Sequence, residues 1–129
     1  MSPFTILLVE DDADLREALV ESLREEGYVV DCAGDGVQAL AYLRDGGRPG
    51  LILLDLMMPR MGGAEFRMVQ KFDPALRHLP VVVLSADAHM EEKARVLEVQ
   101  AAIRKPIDLD ELLVVIERYR AAPASRTNA

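Results

Sequence analysis

Glu10, Asp11 and Asp12 form an acidic cluster directly after the apolar run Ile6-Leu7-Leu8-Val9. Asp55 follows Leu51-Ile52-Leu53-Leu54 in the same way, Ser85 follows Val81-Val82-Val83-Leu84, and Lys105 follows the weaker run Ala101-Ala102-Ile103-Arg104. Apolar runs that each end in a polar residue are expected of buried strands whose carboxyl ends share one edge of a sheet. Carboxylates gathered there would repel one another by roughly 3 kcal/mol per close pair at ~5 Å and an effective dielectric near 20, so something positive must answer them. One source is a hard divalent cation, which suits oxygen ligands on separate loops. The other is Lys105, one of three lysines beside twelve arginines. Mg²⁺ fits better than Ca²⁺ because few protein ligands are on offer, and Zn²⁺ fits poorly because no His or Cys joins the cluster. Such a site is suited to phosphoryl transfer onto a carboxylate, where catalysis is mostly positioning and charge neutralisation.

The elements that must position these residues follow from periodicity. Five apolar runs (Thr5–Val9, Tyr28–Ala33, Leu51–Leu54, Val81–Leu84 and Ala101–Arg104) alternate with helical patterns, which reads as βα repeated five times. Runs without internal alternation predict strands covered on both faces, hence a mainly parallel sheet. The first helix is predicted over about Ala13 to Glu26, with Leu15, Leu19 and Leu23 on one side, Asp12 as its cap and Gly27 at its end. A second follows Asp35-Gly36 and closes at the loop Asp45 to Gly50. Others are predicted from about Gly63 to Phe72, from Ala88 to about Leu97, and from Leu109 to Tyr119 with Asp108 as cap. Right-handed crossovers leave a doubly wound five-stranded sheet in the order 2-1-3-4-5, a flavodoxin-like α/β fold, as the leading topology.

With those strand ends in place, four segments resemble the signatures of the response-regulator receiver family of two-component signalling. They are Leu8-Val9-Glu10-Asp11-Asp12, the run Leu53 to Gly63 around Asp55, Val83-Leu84-Ser85-Ala86, and Arg104-Lys105-Pro106. The resemblance implies that Asp55 is the phosphoacceptor, that Asp11 is a direct Mg²⁺ ligand, and that Glu10 holds a metal-bound water. It also implies that Met57 contributes its backbone carbonyl, that Ser85 and Lys105 contact the phosphoryl oxygens beside the small Ala86, and that Lys105-Pro106 is a cis peptide. The implied donor is a phosphohistidine on a sensor histidine kinase or phosphotransfer domain. The protein is then a signalling phosphoacceptor rather than an enzyme, acting on an unknown downstream target through a changed docking surface.

Two positions depart from the family pattern. Ala102 stands where an aromatic residue usually precedes the lysine by three, which puts the ring half of the usual switch in doubt. Glu98 replaces the glycine often found before the fifth strand, so the turn there must be built differently.

The remaining residues narrow the function further. At 129 residues, half of them apolar, the chain supports one domain, read as a receiver over residues 1–119 with a fraying tail over 120–129. No room remains for an output domain within it, so it is either a stand-alone receiver or a piece of a longer protein. The net charge of −7 disfavours direct nucleic-acid binding. No stretch is long enough to span a membrane and no secretory signal is present, so a cytoplasmic location is expected. Cys32, in the run Tyr28 to Ala33, is expected to be a buried structural thiol. His78 and His89 are expected on the surface, and Met57, Met58 and Met61 are space-filling candidates around the site. Asp87 either borders the site or caps the fourth helix.

Three other functions are compatible with parts of the sequence. An aspartyl-phosphate phosphatase characteristically carries a second acid two positions after the nucleophile, and Met57 stands there. A flavin carrier needs a phosphate cradle after the first strand, where Glu10-Asp11-Asp12 would repel phosphate. A phosphorylation-independent receiver-like scaffold is the alternative that Ala102 keeps open.

Overall fold

The computed structural model describes residues 4–58 and 60–121. Its elements run β1 (Thr5–Val9), α1 (Ala13–Glu25), β2 (Val29–Ala33), α2 (Gly36–Arg44), β3 (Leu51–Asp55), α3 (Gly63–Lys71), β4 (Val81–Ser85), α4 (Met90–Leu97), β5 (Ala101–Arg104) and α5 (Leu109–Arg120). The strands form one parallel sheet in the order β2-β1-β3-β4-β5, as the alternation of runs and helices predicts.

The central strands β1, β3 and β4 are almost wholly buried because helices cover both faces. On one face Leu19 and Leu23 of α1 and Leu112 and Ile116 of α5 pack against Ile6, Leu8, Leu53, Val82 and Leu84. On the other, Leu40 and Leu43 of α2 and Phe66 of α3 pack against Leu7, Val9, Ile52, Leu54 and Val81. Alternate residues of each strand feed the two cores, which is why these runs are apolar without a break.

The caps expected from the sequence are present. The Asp12 carboxylate accepts from the backbone N–H groups of Asp14 and Leu15, and that of Asp108 accepts from Asp110 and Glu111. Gly63, the first residue of α3, lies against the Asp55 backbone so closely that a Cβ would stand 2.3 Å from the Asp55 carbonyl oxygen. A side chain at position 63 would therefore push α3 away from the strand end.

Several expectations are corrected. Cys32 is exposed, not buried. It sits on the edge strand β2, and the neighbouring helix leaves an open groove lined by Arg16, Val20, Arg24 and Cys32. The fourth helix starts at Met90, two residues later than predicted. The Asp87 carboxylate accepts from the His89 N–H, and its carbonyl accepts from the Met90 N–H, so a turn occupies positions 87–89. Asp87 therefore shapes the turn before α4 and is not its N-cap, which is His89. Arg120, expected in the tail, is the last residue of α5, and residues 122–129 lie outside the described residues.

Glu98 resolves the missing glycine by taking the left-handed conformation itself, at φ 55°. The guanidinium of the buried Arg67 donates to the carbonyls of Leu97 and Glu98 at 2.9 and 2.8 Å, and Lys71 forms an ion pair with the Glu98 carboxylate. Those contacts offset the strain of a side chain in a region that favours glycine.

The core also contains a segment that periodicity missed. Leu76 and Leu79 are buried in the turn-rich stretch between α3 and β4, where the buried amide of Gln70 donates to both of their carbonyls.

Candidate functional site

The strand ends bring the predicted residues together. Asp55 is the last residue of β3, Ser85 is the last of β4, Glu10 directly follows β1 and Lys105 directly follows β5. Parallel pairing places all four at the carboxyl edge of the sheet, the usual position for a site in this topology.

Glu10 and Ser85 are fully buried and Asp55 is 3% exposed, whereas Asp11 projects into solvent. Carboxylate oxygens of Glu10, Asp11 and Asp55 lie within 4.8 Å of one another. Lys105 Nζ donates to Glu10 Oε1 at 2.8 Å and stands 3.5 Å from Asp55 Oδ1. The second Glu10 oxygen accepts from the Asp12 N–H, and Asp55 Oδ1 accepts from the Met57 N–H at 3.2 Å. Arg16 of α1 donates to the Glu10 carbonyl at 2.8 Å, which fixes the start of the acidic loop from outside.

Electrostatics follow from this crowding. Burial, together with the hydrogen bond and negative charge of Glu10, pushes the Asp55 carboxyl up to about 7, although the Met57 N–H and the Lys105 charge act in the opposite direction. Burial would lower the Lys105 ammonium, but its hydrogen bond to Glu10 and the charge of Asp55 outweigh that and raise it. A divalent cation bound among these oxygens would favour the ionised form of Asp55. The donor set is oxygen only, which suits Mg²⁺ and leaves Zn²⁺ without the nitrogen or sulfur it prefers.

Ser85 accepts a hydrogen bond from the Asp87 N–H at 3.0 Å. Asp87 is tied down in turn by an ion pair with Lys93 and by Arg104, which donates to its carbonyl at 3.2 Å. The Lys93 hydrogen bond, then the His89 N–H, hold the Asp87 carboxyl below its ordinary value. Lys105-Pro106 is cis, as the resemblance implied.

The other residues singled out in the sequence fall into place around the site. Ala86, His78 and His89 are exposed. The Met57 side chain is 64% exposed, so it does not pack over the site, while Met58 and Met61 pack against the core below α3. Ala102 is partly buried against Leu56, Val83, Met90 and Leu97, so its neighbours there are aliphatic side chains. Sequence reasoning did not single out Arg16, Arg60, Arg67 or Lys93 as contributors. Arginine is common throughout the chain, and only the fold shows which of these side chains meets a loop carbonyl or a buried carboxylate.

The chain belongs to the response regulator receiver domain family, whose model matches residues 6–117. It is 39% identical over 113 residues to the response regulator MprA of Mycobacterium sp. (strain KMS), an alignment covering 86% of this chain and 48% of that protein. It is 40% identical over 114 residues to MprA of Mycobacterium leprae (strain TN), with 86% and 48% covered. The chain thus spans about half the length of the curated relatives it matches. Among solved structures it is similar to a response regulator receiver protein from Pseudomonas putida, with a TM-score of 0.83 and 29% identity over 92% of this chain and 98% of that one. The response regulator TrrA from Thermotoga maritima, solved in complex with Mg²⁺-BeF, gives a TM-score of 0.80 and 28% identity over 90% of this chain and 98% of that one. This is a receiver domain of two-component signalling, a class of signalling phosphoacceptors. Among the described residues no helix is long and apolar enough to cross a membrane.

Proposed function

We propose that Asp55 accepts a phosphoryl group from a phosphohistidine, in a site where Asp11, Asp55 and the Met57 backbone carbonyl would hold Mg²⁺ and Glu10 would hold a water bound to it. A single observation carries this reading: three carboxylates from β1 and β3 within 4.8 Å, with the Lys105 ammonium among them. The Mg²⁺-BeF complex of the Thermotoga relative supports the metal assignment. Mg²⁺ would supply charge neutralisation for the carboxylates and for the phosphoryl oxygens.

The protein's own groups do the rest. An Asp55 oxygen attacks phosphorus in line while the bond from phosphorus to the donor histidine nitrogen breaks, and that nitrogen keeps the electron pair. Lys105 turns from Glu10 toward a phosphoryl oxygen, and the Ser85 hydroxyl donates to another. Glu10 keeps the site's water ordered and holds Lys105 in reach beforehand. Loss of the group reverses the charge change when water attacks the same phosphorus and Asp55 leaves as carboxylate.

Signalling follows from the Ser85 hydrogen bond. A phosphoryl oxygen draws Ser85 toward Asp55, and the loop carrying Asp87 moves with it, altering the face formed by α4, β5 and α5. The upstream partner is a sensor histidine kinase or phosphotransfer domain, and the target is a protein that docks on that face. Direct contact with nucleic acid is not part of this reading, and the setting is the cytoplasm. The receiver runs from β1 to the end of α5 at Arg120.

Incubation with acetyl phosphate, with and without Mg²⁺, tests the proposal by intact mass. The expected result is one added phosphoryl group that requires Mg²⁺ and is absent from Asp55→Asn. An equal adduct on Asp55→Asn would reject the assignment.

A further inference from the structure

The Asp35-Gly36 pair, which the phosphoacceptor chemistry leaves unused, meets the loop between β3 and α3. Asp35 is completely buried at the start of α2, where its carboxylate accepts from the Gln38 N–H at 2.9 Å. Its other oxygen forms an ion pair with Arg60, whose side chain is 67% exposed. Arg60 holds φ at 61°, a left-handed conformation that is strained for any residue with a side chain. The next residue contributes as well, because the Gly36 N–H donates to the Met61 carbonyl at 3.0 Å. A Cβ on Gly36 would lie 2.9 Å from that carbonyl oxygen and 2.6 Å from Met61 Cγ, so only glycine allows the approach.

These contacts grip one side of the loop that carries Met57, and the Gly63 N–H, donating to the Leu56 carbonyl at 3.2 Å, closes its base. A strained residue held by a buried carboxylate is worth keeping where loop geometry matters more than local stability. We propose that Asp35 and Arg60 are positioning residues for Mg²⁺: their ion pair and the Gly36–Met61 hydrogen bond anchor residues 60 and 61 so that the Met57 carbonyl is presented to the carboxylates at the strand ends. This rests on the reading of the Asp55 site given above. Neither residue touches the metal or the phosphoryl group, and their effect passes through the loop backbone.

The test is a titration of the full chain with MgCl₂ alone, followed by amide NMR, for wild type, Arg60→Ala, Arg60→Gly, Asp35→Asn and Asp35→Asn/Arg60→Ala. Asparagine keeps the helix cap, and glycine relieves the backbone strain, so both variants retain the fold. Each single substitution is expected to weaken Mg²⁺ binding about tenfold. The double variant is expected to bind no more weakly than either single one, and the Gly36 amide of each metal-free variant to exchange faster with solvent. Wild-type affinity in the single variants, independent losses that multiply in the double, or recovery in Arg60→Gly would each overturn the proposal. A wild type that binds no Mg²⁺ overturns both the clamp and the site assignment. Wild-type binding unaffected by the variants overturns the clamp alone.

Discussion

Lys105 Nζ is bonded to Glu10 at 2.8 Å and only approaches Asp55, at 3.5 Å. The lysine is anchored by the buried Glu10 carboxylate beside Asp55, while Asp55 Oδ1 also accepts from the Met57 N–H. The arrangement balances two buried acids with one ammonium and so leaves the site short of positive charge, the condition under which a divalent cation binds well.

The shortage has a consequence for pH. Asp55 titrates at about 7 in the metal-free fold because burial, then the Glu10 hydrogen bond and charge, disfavour its ionised form. Between the usual carboxylate range and pH 7 the native state therefore binds more protons than the unfolded chain, and stability falls as pH rises through that window. The full shift corresponds to at most about 4 kcal/mol. Urea denaturation in EDTA should show stability declining from pH 5 to pH 8 in wild type and much less decline in Asp55→Asn. Equal slopes would mean that Asp55 is not the titrating group.

Removal of the ammonium should be worst where both acids are charged. Lys105→Ala is expected to destabilise the metal-free protein by about 2 kcal/mol at pH 8 and by less at pH 5.5, where Asp55 carries a proton. The same denaturation series reads this out. A loss independent of pH would assign Lys105 a packing role instead.

Glu98→Gly should stabilise the protein by about 0.5 kcal/mol, because glycine takes φ 55° without strain and the exposed carboxylate loses little with its Lys71 partner. A thermal melt showing a lower midpoint would mean that the Lys71 ion pair outweighs the backbone term.

Arg67→Ala is expected to cost about 3 kcal/mol, since it strips the Leu97 and Glu98 carbonyls and the Gln70 side chain of a buried donor. Equilibrium unfolding at pH 7 measures it, and a change below about 1 kcal/mol would show that water replaces the guanidinium freely.

The sheet order and the convergence of Glu10, Asp55, Ser85 and Lys105 were legible in the sequence because each buried strand is a short unbroken apolar run with its polar residue at the end. The helix caps Asp12 and Asp108 were legible for a similar local reason, a short acid just before an amphipathic run. Cys32 was misread because an apolar neighbourhood does not reveal that a strand lies at the sheet edge, where one helix leaves it uncovered. Asp87 could equally border the site or cap the fourth helix, and the hydrogen bonds it accepts from the His89 and Met90 N–H groups place it in the turn before α4. The pairings of Asp35 with Arg60 and of Arg67 with residues about thirty positions away depend on tertiary packing, and no sequence period encodes them.

The most direct test of the central claim locates the phosphoryl group on the chain. After reaction with acetyl phosphate and Mg²⁺, reduction with borohydride converts an aspartyl phosphate to homoserine, and peptide mass spectrometry reads its position. Homoserine is expected at position 55 and nowhere else, with none formed when Mg²⁺ is chelated beforehand. Homoserine at position 11 or 12 would contradict the claim by moving the phosphoacceptor, and none under conditions that label a control receiver would contradict it in favour of a receiver-like scaffold that signals without phosphorylation.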